Sequence, residues 1–248
     1  MQIGLIGAGN MARAMARGWG RPVLCTDPLA ERAQALAAEL GGEALATNAE
    51  VAERAELVVL CHKPAQLAEV AAEVAPRARL VASILGGVTL ADLRAAYPEQ
   101  PVVRLMPSTP VALRRGVVVL ASDAGAPAPD GRVRDLFAEL GTLVELPERQ
   151  VDAAMNLMSC APAYWALVAE AQIDAGVRRG LAPDVATEMV LATMAGSAAL
   201  LAEPGSDTKA VREAVTSPGG STARGLAAME RGGVRAAFHD AIDAVLDA

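Results

Sequence analysis

The sequence predicts an α/β protein, with an N-terminal Rossmann-like doubly wound sheet followed by an all-α C-terminal domain. Short apolar runs alternate with helical stretches from the first residue to Pro147. A glycine-rich turn, Gly7-Ala8-Gly9-Asn10-Met11-Ala12, directly follows the first of those runs. Beyond Pro147 the strand-like runs stop and helical patterning takes over. Alternation of this kind signals strands joined by helical crossovers, whereas uninterrupted helical patterning signals a separate all-α layer.

Taken in order, residues Gln2 to Ile6 form an apolar run, which the glycine turn stops, and MARAMARGW continues as a helix. Four pairs repeat the theme: PVLCT with LAERAQALAAEL, EALAT with AEVAERA, LVVLC with AQLAEVAAEV, and RLVASIL with LADLRAAYP; PVVRLM follows them. Continuous Val, Leu and Ile runs suit strands buried on both faces, and a helix between successive runs suits a parallel sheet. A further run, GVVVLAS, precedes the Pro/Gly/Ala-rich AGAPAPDG, after which DLFAELG and TLVELP bring the pattern to Pro147. A boundary at that proline gives a dinucleotide-binding domain over 1–147 and a helical substrate-binding and dimerisation domain over 148–248. From Val151 onward the helices are expected to break at Pro162, at Gly180 to Pro183, at Pro204 to Ser206 and at Ser217 to Gly220. Ala163 to Ala175 and Pro183 to Ala202 are apolar or small around much of their circumference, more than one buried stripe requires. Such helices need cover on several sides, which points to a partner subunit; the alternative is that alanine merely tolerates exposure.

Composition narrows the function. With 53% apolar and 21% charged residues over 248 positions, the chain can build a core, and disordered or fibrous classes are excluded. Aromatics are only 2%, so alanine, leucine and valine must fill the interior. The 22 basic and 29 acidic residues leave a net charge of -7 without a basic cluster longer than two residues, which argues against nucleic acid as a partner. Cys25, Cys61 and Cys160 are odd in number and far apart, as in a reducing compartment. Two histidines and no CxxC make a metal site improbable. No basic stretch and hydrophobic core open the chain, so a cytoplasmic location is expected. The longest uncharged run, Ala153 to Ala169, holds Asn156, Ser159 and Pro162 and reads as a buried helix rather than a membrane span.

The first glycine turn is a GxGxxA pattern between a strand and a helix, with Asp27 closing the next strand. Gly7 permits the tight turn, Gly9 lets the backbone approach a pyrophosphate, and small Ala12 allows helix to pack on strand. The free N–H groups of the helix N-terminus then face phosphate charge. Asp27 is suited to accept hydrogen bonds from the adenosine ribose, which favours NAD; Thr26 and Arg32 could instead hold the 2′-phosphate of NADP. Asp27 could equally cap a helix beginning at Pro28. A second loop, Val215-Thr216-Ser217-Pro218-Gly219-Gly220-Ser221-Thr222, offers hydroxyls and backbone donors without an acid or base. It could grip a carboxylate, or simply start a helix with Ser221 or Thr222 as its N-cap.

GAGNMA near residue 7, HKP at His62 to Pro64, MPSTP at Met106 to Pro110, APAY at Ala161 to Tyr164, DAGVRRGL at Asp174 to Leu181 and VTSPGGST at Val215 to Thr222 together resemble the pyrroline-5-carboxylate reductase family. The likeness spans essentially the whole chain, and its most specific part is VTSPGGST followed by LAAMERGGVRAAFHDAI. What the resemblance implies is hydride transfer from NADPH or NADH to the C=N carbon of a cyclic imino acid, the last step of proline biosynthesis. It also implies that the Thr222 hydroxyl bonds the imine nitrogen. Ser217, Pro218, Gly219, Gly220, Ser221 and Thr222 would form the substrate loop, with backbone groups from Gly219 to Thr222 on the carboxylate. The cofactor positions it implies are Ile6, Gly7, Ala8, Gly9, Asn10, Met11, Ala12, Thr26, Asp27, Asn48, His62, Lys63, Pro64, Leu85, Gly86 and Gly87.

The uncovered faces of the C-terminal helices imply a homodimer or higher homo-oligomer through them. His62 reads as packed at a strand end, His239 as a surface residue, and Lys63 as either a solvated turn residue or a phosphate or nicotinamide contact. Two segments depart from the family pattern: SGSGPAY is here Met158-Ser159-Cys160-Ala161-Pro162-Ala163-Tyr164, and MPNTP is MPSTP with Ser108. Both are expected beside the ligand site, where added bulk alters what fits. The closing helix also ends at Ala248, short of the family's usual extension. A related imine reductase or β-hydroxyacid dehydrogenase would share the first loop, but its long interdomain helix should carry a lysine, and Val151 to Gly176 has none. A nucleotide-binding homologue that has lost turnover through the Met158 to Ala161 changes is the third reading.

Overall fold

The computed structural model describes residues 1–123 and 130–246, so most of the Pro/Gly/Ala-rich segment and the last two residues of the closing helix lie outside the described residues. The chain divides into two compact units, Met1–Pro162 and Ala163–Ala248.

The first unit begins with β1 (Ile3–Ile6), α1 (Asn10–Trp19), β2 (Leu24–Thr26), α2 (Ala30–Leu40), β3 (Glu43–Ala44), α3 (Asn48–Arg54), β4 (Leu57–Leu60), α4 (Leu67–Val74), β5 (Val81–Ser83), α5 (Leu90–Ala96) and β6 (Val102–Pro107). It continues with β7 (Gly116–Ser122), α6 (Gly131–Ala138) and β8 (Gly141–Pro147). The eight strands form one sheet in the order β3-β2-β1-β4-β5-β6-β7-β8. The order reverses at β1, where two halves of the sheet meet.

From β3 to β6 every pairing is parallel, but β7 runs antiparallel to β6, and β8 runs parallel to β7. The expectation of a parallel sheet therefore fails at this one step. Its cause is length: only residues 108–115, with a 3-10 turn at Thr109–Leu113, separate β6 from β7. That is too short for a crossover, and a direct reversal is what remains. Ser108 fixes the reversal, because its buried hydroxyl accepts from the Val117 N–H (2.8 Å) and donates to the Val117 carbonyl (3.2 Å). The residue that departs from the family pattern at Ser108 thus makes a strand-pairing contact.

Hydrophobic cores cover both faces of the sheet. One contains Leu5, Met15, Trp19, Leu36, Leu57 and Phe137; the other contains Ile6, Val51, Leu60, Val74, Leu93 and Tyr97. Leu5, Leu57 and Leu60 are fully enclosed, each side chain contributing about 1.5–3 kcal/mol relative to exposure. Trp19 is placed by its indole N–H donating to the Leu136 carbonyl (3.0 Å) and by an edge-on contact with Phe137. Two of the crossover helices start with reciprocal caps, Thr47 with Glu50 on α3 and Thr89 with Asp92 on α5.

After β8 come a 3-10 turn at Glu148–Gln150, α7 (Val151–Met155), a π-helical turn at Asn156–Cys160 and α8 (Ala161–Val177). The expected break at Pro162 does not occur. Proline lacks the N–H that would bond back along the helix, and the wider π turn just before it absorbs the lost bond without ending the helix. Met158, on that turn, is buried against the sheet.

The second unit holds the rest of α8 with α9 (Pro183–Leu201), α10 (Thr208–Ala214), α11 (Ser221–Arg231) and α12 (Val234–Leu246). Among the described residues it contains no strand. The breaks expected between Gly180 and Pro183, around Pro204 and at Ser217 to Gly220 fall between these helices. Along α8 and α9 only Ala169 and Ala186 are buried, whereas Trp165, Leu167, Met189, Leu191 and Leu200 are more than half exposed. Among the described residues, the one helix long and apolar enough to cross a membrane by length and composition is α9, not the Ala153 to Ala169 run.

Candidate active site

The carboxyl ends of β1, β2, β4 and β5 lie level, since Ile6 pairs with Thr26 and with Leu60, and Leu60 with Ser83. That alignment brings the Gly7 loop, Asp27, the Cys61-His62 pair and the Leu85 to Gly87 segment to one edge of the sheet. In open α/β sheets ligands bind at this edge, where strand order reverses.

Gly7 holds the turn in place. Its φ is +102°, and a Cβ there would stand 2.8 Å from the Cys61 carbonyl oxygen and 3.1 Å from the His62 nitrogen. Its N–H donates to the Thr26 carbonyl (2.8 Å). Gly9 is different, for its φ of -73° suits any residue and a Cβ would meet nothing within 4 Å. Gly9 is the N-cap of α1, and no side chain caps that helix. The first-turn N–H groups therefore have neither an intrahelical partner nor a capping side chain at the positive end of the helix dipole. Ala12 is buried in the helix–sheet core, and Met11 packs partly against the same core. Ile6 is buried, and Asn10 is exposed at the helix start. These features fit a dinucleotide pyrophosphate.

Asp27 does not cap α2, whose N-cap is Leu29. One carboxylate oxygen accepts from the Ala8 N–H (2.8 Å) and the other from the Leu29 N–H (2.9 Å). The side chain thus ties the glycine loop to the end of β2. Thr26 is buried at 5% exposure, and Arg32 lies exposed in the first turn of α2. Burial, with a smaller push from the Asp27 charge, raises the Cys25 thiol to about 11, so this cysteine is an inert core residue.

His62 is half-buried at the end of β4 with Nδ1 2.9 Å from the Lys63 carbonyl, so that nitrogen carries the proton in this pairing. Its Nε2 is enclosed without a hydrogen-bond partner, and burial lowers the imidazole below its ordinary pKa. Lys63 and Pro64 are exposed at the head of a 3-10 turn, where the Lys63 N–H donates to Gln66. Asn48 is the first residue of α3, directly after the Thr47 cap. Leu85 turns its side chain into the core and so offers only backbone at the edge, while Gly86 and Gly87 are exposed there.

In the second unit, the Ser217 to Thr222 loop runs into α11 with Gly220 as N-cap and no capping side chain. The expectation that Ser221 or Thr222 caps this helix is not met: both are already inside its first turn. The turn closes through the Gly220 N–H donating to the Ser217 carbonyl (3.0 Å), Gly219 has φ +68°, and Arg224 donates to the Gly219 carbonyl (2.6 Å). Ser217, Ser221 and Thr222 are exposed, and no side chain caps the first-turn N–H groups of α11. His239 on α12 is exposed.

One charged cluster had no counterpart in the sequence reasoning. Arg104 on β6, 2% exposed, donates to Glu148 (2.9 Å) and Asp152 (3.1 Å), and Glu148 also accepts from the Leu90 N–H. It pins the start of the helical segment to the sheet. An arginine inside the apolar run PVVRLM was the available signal, since a charge in a buried strand must find partners.

The sheet edge, the uncapped glycine loop and the Asp27 tie define a Rossmann-type dinucleotide-binding protein with a helical C-terminal unit. Residues 2–87 match the family model for NADP oxidoreductases dependent on coenzyme F420, and residues 148–248 match that for pyrroline-5-carboxylate reductase dimerisation. A pyrroline-5-carboxylate reductase of Synechocystis is 33% identical over 98% of this chain and 95% of its own length. Two solved structures superpose with a TM-score of 0.89: the Plasmodium falciparum pyrroline carboxylate reductase with NADP bound, 26% identical over 100% of this chain and 96% of that one, and the 1-pyrroline-5-carboxylate reductase of Streptococcus pyogenes, 29% identical over 100% and 97%. The chain belongs to the pyrroline-5-carboxylate reductase family.

Proposed function

We propose that this protein is a pyrroline-5-carboxylate reductase that forms L-proline in the cytoplasm as a homodimer or larger homo-oligomer. The observation that carries the reading is the near full-length similarity to curated reductases, with both glycine loops present and both running into helices that no side chain caps. When bound, NADH or NADPH supplies the hydride. The residues of this chain hold and orient the reactants. Gly9, Asn10 and Met11 offer backbone N–H groups to the pyrophosphate, and Asp27, Asn48, His62 to Pro64 and Gly86 to Gly87 line the rest of the dinucleotide path. Gly219 to Thr222 hold the substrate carboxylate on the α11 N-terminus, and the Thr222 hydroxyl hydrogen-bonds the imine nitrogen. Positioning and charge stabilisation of this kind suffice when the cofactor performs the bond change.

The apolar faces of α8 and α9, exposed in a single chain, are covered by a second copy. Closed pairs are the commonest way to bury such faces. Three free cysteines suit a reducing compartment.

Thr222→Ala tests the assignment. It should lower kcat roughly tenfold to thousandfold, the range for loss of one transition-state donor, while dinucleotide affinity stays within about twofold of wild type. An unchanged kcat removes Thr222 from the mechanism.

A further inference from the structure

We propose that Asp27 makes this protein discriminate in favour of NADH against NADPH. The inference rests on the reading that a dinucleotide lies on the Gly7 to Ala12 loop, and it adds the choice between two cofactors that differ only by the adenosine 2′-phosphate.

The argument starts from how the side chain is held. Asp27 stands one residue beyond β2, beside the end of β1, at the position where a Rossmann sheet meets the adenosine ribose. Its two oxygens are fixed by two backbone donors, Ala8 N–H at 2.8 Å and Leu29 N–H at 2.9 Å. A carboxylate anchored at both oxygens cannot swing aside to admit a bulky anion. Each oxygen nevertheless keeps a lone-pair direction open, and can accept from a ribose hydroxyl. A 2′-phosphate brings only acceptors and a charge of the same sign.

The surroundings do not offset that charge. Thr26 is buried, so its hydroxyl is not offered to solvent. On the flanking elements, Arg13 and Arg17 pair with Glu39, and Arg54 pairs with Glu43. Arg32 is exposed in the first turn of α2 and makes no ion pair among the described residues. It is the one basic group next to Asp27 in sequence that could attract a 2′-phosphate, and it enters the test as the competing feature. A fixed anion near the ribose outweighs a mobile, solvated arginine, because the former is held in place and the latter must be ordered to bind.

The test is calorimetric titration of the full-length protein with NADH and with NADPH in the absence of imino acid, for wild type, Asp27→Ser, Asp27→Asn and Arg32→Ala. Wild type should bind NADH at least about tenfold more tightly than NADPH, and Arg32→Ala should leave that ratio in place. Asp27→Ser should bring the two affinities within about threefold or reverse them. Asp27→Asn keeps an acceptor for one loop amide while removing the charge, so it serves if the serine variant does not fold. A measurement on the unaltered protein stands beside the variants: if repulsion sets the preference, raising the salt concentration should narrow the wild-type ratio. Tighter binding of NADPH by wild type overturns the proposal, as does a ratio that neither Asp27 variant changes. Binding of neither dinucleotide overturns this proposal and the underlying reading together, whereas tight, indifferent binding of both overturns only the proposal.

Discussion

Gly7 and Gly9 stand two residues apart in one loop, yet the structure assigns them different work, and substituting each with alanine separates the two. At Gly7 the φ of +102° disfavours any side chain, at about 1–3 kcal/mol. The added methyl would also press on the Cys61 backbone at 2.8 Å, where neither partner is a flexible side chain, and overpacking of that kind costs about 1–3 kcal/mol more. Gly7→Ala should therefore destabilise the fold by about 2–6 kcal/mol and lower Tm on the order of 10 °C.

Gly9→Ala meets neither cost, since φ is -73° and nothing lies within 4 Å of the new methyl. The entropy gained by restricting the unfolded chain and the poorer N-cap nearly cancel, leaving stability within about 0.5 kcal/mol of wild type. If the pyrophosphate sits on the α1 N-terminus as proposed, the methyl stands in its path, and dinucleotide affinity should fall about tenfold to hundredfold, on the same 1–3 kcal/mol scale of overpacking. Thermal denaturation paired with cofactor titration reads both effects. Equal destabilisation by the two variants, or a Gly9→Ala protein that binds dinucleotide normally, would refute the division of labour.

Three further outcomes follow from the described contacts. Arg104→Met keeps most of the buried volume but removes the bonds to Glu148 and Asp152, and should cost about 1–3 kcal/mol in urea denaturation; a loss under about 0.5 kcal/mol would mean the cluster is no more than a surface pair. His62 has a folded-state pKa below its unfolded value, so the unfolded chain binds the extra proton first on acidification, and this histidine's contribution to stability is present above about pH 6.5 and lost as pH falls below it. His62→Gln should make the denaturation midpoint less sensitive to pH between about 7.5 and 5.5, and an unchanged slope would place the acid sensitivity elsewhere. Leu191→Glu puts a charge on the apolar face of α9, and light scattering should show a smaller assembly than wild type; an unchanged mass would remove that face from the subunit contact.

Much of the fold was legible because local chemistry and global architecture agree. Each apolar run of the first 147 residues became a strand, and Thr47 and Thr89 capped helices where the patterning starts them. The antiparallel β7 was hidden in a spacing rather than a residue type, namely the short 108–115 link. Pro162 carries the stop signal of any proline, but the π turn before it lets the helix continue. At the site, Gly7, Gly9 and Ala12 stand as the GxGxxA pattern requires, since backbone constraints are written directly into glycine and alanine. The double anchorage of Asp27 was not legible, because the Ala8 N–H lies 19 residues away in sequence and meets it only through the β1–β2 register. Leu85 shows the converse, a residue placed at the right strand end whose side chain packs inward.

The most direct measurement is to mix the purified protein with pyrroline-5-carboxylate and each reduced nicotinamide cofactor, following cofactor absorbance and proline together. One proline formed for each cofactor oxidised, with both signals slowed at least about tenfold in Thr222→Ala, is the expected result. Tight cofactor binding without proline, or cofactor oxidation that yields another product, would contradict the account.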